Sequence, residues 1–533
     1  MAQVAREITL LPAEQLLREF LLECSQSFPG LEIWVTGGWV RDRLLGILSS
    51  DMDLGLSNTT GKEFGTFLEK FSARPEVVSK YSRRAAELGI PDTLFTKFHI
   101  MKRNANMFKK LETAGGRLFG LEVDMVNLRK EVYDGQSRNP DMEFGTAAED
   151  AFRRDATVNA LFFHLERQEV VDLTGRGIRD LDAKIMRTPL DPRQTFMDDP
   201  LRVLRLIRIG SRLGFAIDPA AMACMRDAEI HRLLDTMITR DRVGAELFKM
   251  MRGANPEGAF QHICDANLYM PVFVRLNSPL ASTLPGMFPS PATNKPLPWP
   301  VSWSQGFQIL SKVLQHKSSL AKLVDNEKNV DLVWTMAAYA PLAGLRRTKP
   351  KEVVQEAESA IRCPAKLSQV LESALRNFDA IDAMVSLVAA ANEQDRPPRR
   401  STVGMAVRSW GVTWTTQVVF ALLSQAVSIG NEQVARGASA TEGSMVDALL
   451  RKYSLFADFV YREALFDAAT QRPLLNGNDI RAVFGLQEGG KYLKSVLERL
   501  MEWQFDHADE GAEAAQAWLL SKRAELPLPQ ADK

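Results

Sequence analysis

The chain of 533 residues has only 4 cysteines, and Cys24, Cys224, Cys264 and Cys363 lie far apart with no CxxC pair among them. A disulfide framework and a zinc knuckle are thereby excluded, and reduced, intracellular thiols are expected. It also lacks any run of about eighteen apolar residues, so no membrane span is expected. Met1 to Leu11 has no apolar core of the signal-peptide kind, and the Glu-bearing segment behind it is foreign to a transit peptide. None of the 6 histidines is followed by Asp, which removes a metal-dependent HD phosphohydrolase site. Net charge is missing too: 66 Lys+Arg balance 66 Asp+Glu, so a surface for nucleic acid must be a local patch. No internal repeat of fixed period occurs.

What is there is the composition of a globular protein, 45% hydrophobic and 25% charged, at a length of about three or four domains. The spacing predicts a helix over Ala13 to Phe28, a strand at Glu32 to Val35 ending at Gly37-Gly38, and a helix opening there. Asp51 to Leu56 reads as a strand, Lys62 to Phe71 as a helix and Leu121 to Leu128 as a strand, which together imply a sheet with covering helices. Arg74 to Gly120 has weak periodicity, and within it Lys102, Arg103, Lys109, Lys110 and Arg117 face one acid, Glu112; a mobile basic loop is expected. From Asp198 onward the pattern is helical, as in Leu201 to Leu213, Arg240 to Arg252 and Val330 to Ala343, with no convincing alternating strand. Seven prolines within Asn277 to Pro300 mark a linker or long surface loop. Trp303, Trp334, Trp410, Trp414 and Trp503 fall in helical stretches and are expected in the core.

The chemistry is concentrated in Gly37-Gly38-Trp39-Val40-Arg41-Asp42, followed by Asp51-Met52-Asp53. Carboxylates at i and i+2 of a strand point to one face, where they can hold hard divalent cations. Gly37 and Gly38 let backbone approach a triphosphate, and the helix after them offers unpaired N–H groups. Glu122-Val123-Asp124-Met125 supplies a third carboxylate, Asp124, on the face opposite Val123 and Met125. Three such groups suit a two-metal centre for in-line phosphoryl transfer. Each element alone also occurs as a turn or a solvated strand edge; their joint occurrence in this order is what points to chemistry.

Further on come Arg153-Arg154-Asp155-Ala156-Thr157-Val158-Asn159-Ala160-Leu161, Asp172-Leu173-Thr174-Gly175-Arg176-Gly177 and Asp198-Asp199-Pro200-Leu201-Arg202-Val203-Leu204-Arg205. This order of motifs resembles the tRNA nucleotidyltransferases that add CCA, in their eukaryotic, bacterial-like second class, within the polymerase-β-like nucleotidyltransferase superfamily. The likeness extends through Thr188-Pro189-Leu190, Ser211 to Phe215 and Asp241 to Glu246, and Pro473 to Ile480 is similar to the tail of the fungal enzymes. Asp198 and Asp241 stand where the family usually has Glu, which keeps the charge.

The resemblance implies an α+β fold: a nucleotidyltransferase head with a mixed sheet over 1–185, a helical neck over 186–276, the Pro-rich stretch at 277–301, a helical body over 302–440 and a helical tail over 441–533. It implies untemplated addition of C, C and A to tRNA from CTP and ATP, with Mg²⁺ held by Asp51 and Asp53 and Asp124 as third catalytic carboxylate; a CC-adding or A-adding enzyme or a poly(A) polymerase of the same superfamily, and a catalytically silent RNA-binding protein, are the other readings. Arg153, Arg154, Asp155 and Asn159 match the family positions that grip ribose and triphosphate, with Arg41 as a further phosphate contact, although Arg153 to Leu161 also reads as a plain amphipathic helix with a solvated basic face. Asp199 and Arg202, with Arg205 a turn on, match the pair that reads the base. A carboxylate beside a guanidinium complements the amine donor and ring-nitrogen acceptor shared by cytosine and adenine, which uracil and guanine reverse; a helix cap with a surface ion pair is the other reading of the same residues. Asp172 to Asp180 resembles a hinge element, and Asp241, Arg242 and Glu246 are placed to brace a helix. The implied partner is the acceptor and TΨC arm of tRNA, with no membrane and no obligate protein partner. The implied locations are cytoplasm and nucleus, with a mitochondrial form if an upstream start exists.

Overall fold

The computed structural model describes residues 6–91, 96–101, 113–132, 141–284, 300, 302–324, 326–436 and 442–529. Two compact units divide the chain, Met1–Thr239 and Arg240–Lys533.

In the first unit, helix α1 (Pro12–Ser25) starts on a proline, whose missing N–H is no loss there, and buries Leu16, Leu17, Phe20 and Leu21. The strands are β1 (Ile33–Thr36), β2 (Asp51–Leu56), β3 (Thr96–Met101), β4 (Thr113–Leu118), β5 (Leu121–Asn127), β6 (Arg129–Val132), β7 (Asp141–Phe144), β8 (Leu161–His164) and β9 (Glu169–Asp172). Seven form one mixed sheet in the order β3-β4-β5-β2-β1-β8-β9, in which β2 and β5 run parallel and every other pair antiparallel; β6 and β7 form a separate hairpin. Along β2 and β5 the residues alternate, Met52, Leu54, Val123 and Met125 being buried and Asp51, Asp53, Glu122 and Asp124 exposed on the other face.

Helix α2 (Gly38–Leu44) follows β1 directly, and α3 (Gly61–Ser72) begins with a reciprocal cap in which the Glu63 N–H donates to Thr60 Oγ1 at 3.1 Å. α3 packs on β4 and β5. The segment expected as a loop from Arg74 to Gly120 instead contains α4 (Pro75–Glu87), which buries Val77, Tyr81 and Ala85 against α1, and the strands β3 and β4. Its Lys102, Arg103, Lys109 and Lys110 lie outside the described residues.

After β7 come α5 (Ala147–Phe152), a single 3₁₀ turn at Thr157–Asn159 and β8, so the helical reading of Arg153 to Leu161 does not hold. α6 (Gly177–Ala183) is capped by Asp172, whose Oδ2 accepts the Ile178 N–H at 3.1 Å, so the Asp172 to Asp180 stretch is built structure at this end. α7 (Pro192–Asp198) leads into α8 (Leu201–Leu213), which stops at Gly214 in the left-handed conformation. Two-residue strands β10 (Ile185–Met186) and β11 (Ala216–Ile217) pair in parallel, a small departure from the strand-free reading after Asp198. α9 (Pro219–Met225) and α10 (Ala228–Met237) end the unit.

The second unit is helical throughout its described residues: α11 (Arg240–Met251), α12 (Pro256–Asp265), α13 (Tyr269–Phe273), α14 (Trp303–Gln315), α15 (Ser319–Lys322), α16 (Asn326–Tyr339), α17 (Pro350–Ile361), α18 (Ala365–Glu393), α19 (Arg400–Trp410), α20 (Trp414–Arg436), α21 (Glu442–Arg462), α22 (Gly477–Phe484), α23 (Tyr492–Asp506) and α24 (Ala512–Ser521). α20 is the hub, packing on α14, α16, α18 and α21. Trp303, Trp334, Trp410, Trp414 and Trp503 are all buried, and the Trp303 indole N–H donates to the Ala337 carbonyl at 2.8 Å, so these tryptophans pack the core as expected. α22, α23 and α24 close on their own cluster of Leu475, Ile480, Phe484, Val496, Leu500 and Leu519. Of the Pro-rich stretch, 285–299 and 301 lie outside the described residues. No single helix among the described residues is long and apolar enough to cross a membrane.

Candidate active site

The parallel register sets Asp53 opposite Asp124 and Asp51 opposite Glu122, and antiparallel β1 adds Thr36 beside Asp53. Four acidic side chains therefore stand on one sheet face, and the two strands bring together all three of the carboxylates Asp51, Asp53 and Asp124. Gly37 ends β1 at φ 75, a conformation that side chains rarely adopt. A β-carbon there would lie 3.2 Å from Asp53 Oδ2 and 3.3 Å from Arg154 Nη1, so the bare glycine leaves the gap into which both groups reach. Gly115 on β4 does the same for Asp124, whose Oδ1 would be 2.3 Å from a β-carbon, with the His99 ring 2.7 Å from it. Surrounding protein raises the Asp53 carboxyl above its usual value; Arg154 opposes this, and the charges of Asp124 and Asp51 add to it.

Behind this face lies a buried network of charges. Arg41, only 4% exposed, sits beneath the turn, with its Nη2 3.3 Å from where a β-carbon of Gly38 would be. Its Nε donates to Asp42 at 2.8 Å and its Nη1 to Asn159 Oδ1. Asn159 Nδ2 donates in turn to Asp155 Oδ1 at 2.9 Å, and Arg205 Nε on α8 donates to Asp155 Oδ2 at 2.8 Å. Burial alone would raise the Asp155 carboxyl, but Arg205, Asn159 and Arg202 hold it below the ordinary range. Asp42 also accepts from Arg212 at 3.1 Å, so α2, the 3₁₀ turn and α8 are tied together. The structure thus gathers Arg41, Asp155, Asn159, Arg202 and Arg205 into one region, with all but Arg205 beneath the surface.

Asp199 lies at the break between α7 and α8, partly exposed, and its Oδ1 accepts the Leu201 N–H at 3.1 Å. Arg202, the second residue of α8, is 8% exposed. The two therefore flank the start of α8, and Asp199 has a capping bond in addition to any role toward a base.

Two residues of this region escaped the sequence reading. Asp150, buried on α5, receives both arginines that follow it: Arg153 through Nε at 3.0 Å, and Arg154 through Nε at 3.0 Å and Nη2 at 2.8 Å. The signal was present as an acid three and four residues before a pair of arginines, the spacing of one helical turn. His99 beside Asp124 had no sequence signal, since only the β3–β4 pairing brings it there.

Among the described residues no three His, Cys, Asp or Glu side chains are already drawn together as a metal cage. The donor set still fits a divalent cation that keeps open positions for substrate, because Asp51, Asp53 and Asp124 present hard oxygen donors from two adjacent strands on one exposed face.

A family model described as "Poly A polymerase head domain" matches residues 33–187, the stretch that contains both the carboxylates and the Asp155 network. The protein named "Nucleotidyltransferase lcsQ" of Purpureocillium lilacinum is 33% identical over 95% of this chain and 90% of its own length. The mitochondrial CCA tRNA nucleotidyltransferase of Saccharomyces cerevisiae is 31% identical over 94% of this chain and 92% of its own. The structure of the Thermotoga maritima CCA-adding enzyme complexed with tRNA shares the fold, with a TM-score of 0.61 at 20% identity over 98% of this chain and 100% of that one. With a site of this kind and likeness along nearly its whole length, the chain belongs to the CCA tRNA nucleotidyltransferase family.

Proposed function

We propose that this protein adds C, C and A to the 3′ end of tRNA from CTP and ATP, without a nucleic-acid template and with release of pyrophosphate. The observation that carries the reading is the parallel register of β2 and β5, which sets Asp51, Asp53 and Asp124 on one face beside the bare backbone of Gly37. Mg²⁺, when bound by Asp51 and Asp53, supplies charge stabilisation to the attacking and leaving oxygens. Asp124 completes the acidic face, and Gly37 and Gly38 admit the triphosphate close to backbone. Arg153 and Arg154 offer planar forks matched to phosphate oxygens. Asp155 and Asn159 serve the ribose, with Arg41 behind them.

Asp199 accepts from the exocyclic amine of cytosine or adenine while Arg202 donates to the ring nitrogen, and Arg205 anchors α8 to Asp155. Each polar group left unpaired by uracil or guanine disfavours it by roughly 1–3 kcal/mol. Neck, body and tail, at 186–276, 302–440 and 441–533, hold the acceptor and TΨC arm through shape and phosphate contacts, which every tRNA shares. Two yeast relatives carry "mitochondrial" in their names, which supports a mitochondrial form beside a cytoplasmic and nuclear one.

The test is incubation with tRNA ending at the discriminator base, followed by sequencing of the 3′ ends. CTP alone is expected to give CC, ATP alone no product, and both together CCA with no longer tail. A run of A, or ends that stop at CC in the presence of ATP, overturns the reading.

A further inference from the structure

Two guanidinium groups side by side repel each other, and the geometry at α5 shows what holds Arg153 and Arg154 together. Asp150 is 1% exposed, and its two oxygens are divided between them: Oδ1 accepts from Arg153 Nε at 3.0 Å and from its Nη2, and Oδ2 accepts from Arg154 Nε at 3.0 Å and Nη2 at 2.8 Å. Both forks are thus gripped along the same Nε–Nη2 edge. On Arg154 this turns Nη1 outward, to the Asn159 carbonyl at 3.3 Å and to the gap over Gly37 where Asp53 Oδ2 also reaches. The plane of Arg154 is fixed further by the Phe162 ring, 4.9 Å from its central carbon. The Arg129 backbone N–H donates to Asp150 Oδ1 at 3.4 Å, which fixes the carboxylate from its other side.

We infer that Asp150 is a positioning residue for nucleotide addition: one buried carboxylate sets the orientation of two arginines so that their outward edges meet the triphosphate. The inference rests on the reading of Arg153 and Arg154 as the triphosphate grip. Asp150 itself touches no substrate. A carboxylate is needed because only an acceptor with two oxygens satisfies two forks, and because its charge offsets the repulsion between them. An amide in its place presents an N–H₂ toward one fork, and that arginine loses its aim.

The measurement is steady-state kinetics of Asp150→Asn on tRNA ending in discriminator-C-C, with ATP varied, alongside inhibition by pyrophosphate and a melting curve. The variant is expected to raise KM for ATP about tenfold or more, the loss of at least one charge-assisted bond. It is expected to weaken pyrophosphate inhibition by a similar factor and to leave tRNA affinity unchanged. Arg154→Lys and the double variant complete a cycle, in which the double variant should be no worse than the poorer single one. Asp150→Glu, which keeps the charge on a longer arm, is expected to lie between wild type and Asp150→Asn in KM and decides the matter if Asp150→Asn does not fold. A lowered kcat with KM and pyrophosphate inhibition unmoved, or additive effects in the cycle, means that Asp150 only supports the fold and overturns the inference. If instead the wild-type protein adds neither C nor A to tRNA, it is the functional reading that fails.

Discussion

At Asp53 the surrounding protein and the charges of Asp124 and Asp51 disfavour the ionised form by more than Arg154 favours it. A group whose folded pKa is raised above its unfolded value is a burden on the fold once ionised, so at neutral pH the chain is less stable for keeping this carboxylate. If Asp53 holds the metal, its role in addition and its cost to the fold separate in one variant. Asp53→Asn is expected to lower addition of both C and A by at least about 100-fold at saturating tRNA, since it removes charge stabilisation from the transition state. Its melting temperature should be no lower than that of wild type, and its tRNA affinity unchanged. Single-turnover assays beside a melting curve check this, and a less stable but active variant would show that Asp53 is part of the scaffold. Gly37 belongs to the same account, because its positive φ and missing β-carbon leave open the gap into which Asp53 and Arg154 reach.

Among the elements, those with one clean period were legible in the sequence. α8 runs from Leu201 to Leu213 as read, because its apolar residues recur at helical spacing and Gly214 ends it. β2 and β5 were legible through strict alternation, which also put Asp51, Asp53 and Asp124 on their common face. α4, β3 and β4 were not. Gly115 and Gly116 break the alternation of β4, and Gly115 is there to leave room for Asp124, a demand that no local pattern records. The helical alternative for Arg153 to Leu161 fails because Asp150 and Asp155 bind Arg153, Arg154 and Asn159 around a single 3₁₀ turn before β8.

The break between α7 and α8 is where a structural role and a specific one meet, because Asp199 both caps the Leu201 N–H and stands a turn before Arg202. If Asp199 reads the amine, Asp199→Ala should improve relative use of UTP and GTP, since the carboxylate no longer repels a base carbonyl. Arg202→Ala should mainly slow CTP and ATP, by a factor corresponding to roughly 1–3 kcal/mol. A cap alone predicts a loss of roughly 0.5–2 kcal/mol in stability and equal depression of all four nucleotides. Values of kcat/KM for the four nucleotides, with a melting curve for each variant, separate the two, and unchanged ratios would place base reading elsewhere.

Across the whole molecule, the buried groups whose titration is shifted differ between the two units. In Met1–Thr239, Asp150 and Asp155 are held below the usual carboxylate range, because burial, which raises them, is outweighed by Arg154 and Arg153 at the first and by Arg205 at the second. Their stabilisation is complete above the unfolded value near pH 4 and is lost as pH falls through it toward their lower folded values. His164, pushed down by burial and by Arg167, acts in the same direction from about pH 6.5 downward, because the unfolded chain takes up its proton first. Asp53 acts oppositely, being one raised carboxyl against two lowered ones. In Arg240–Lys533 the shifted groups of the core are Tyr269, Tyr339 and Tyr453, all raised by burial, with the Cys264 thiol pushed up to about 12 and Cys363 to about 11. The Tyr269 and Tyr339 hydroxyls donate to the carbonyls of Ala338 and Phe273, bonds that ionisation would abolish. These groups stabilise fully below their unfolded values, near pH 8.5 for thiol and 10 for tyrosine, and the contribution drains away as pH rises toward the folded ones. Cys24 and Tyr81 act with the same sign in the first unit, two groups against five. Acid should therefore open the catalytic unit first and alkali the helical one. Hydrogen exchange, corrected for intrinsic rates, is expected to show α5 and α8 losing protection before α14 and α20 below about pH 4, and the reverse order above about pH 10. If one unit opens first at both extremes, its overall stability governs the order, and the charge network around Asp150 and Asp155 contributes less than the packing of the helices that carry it.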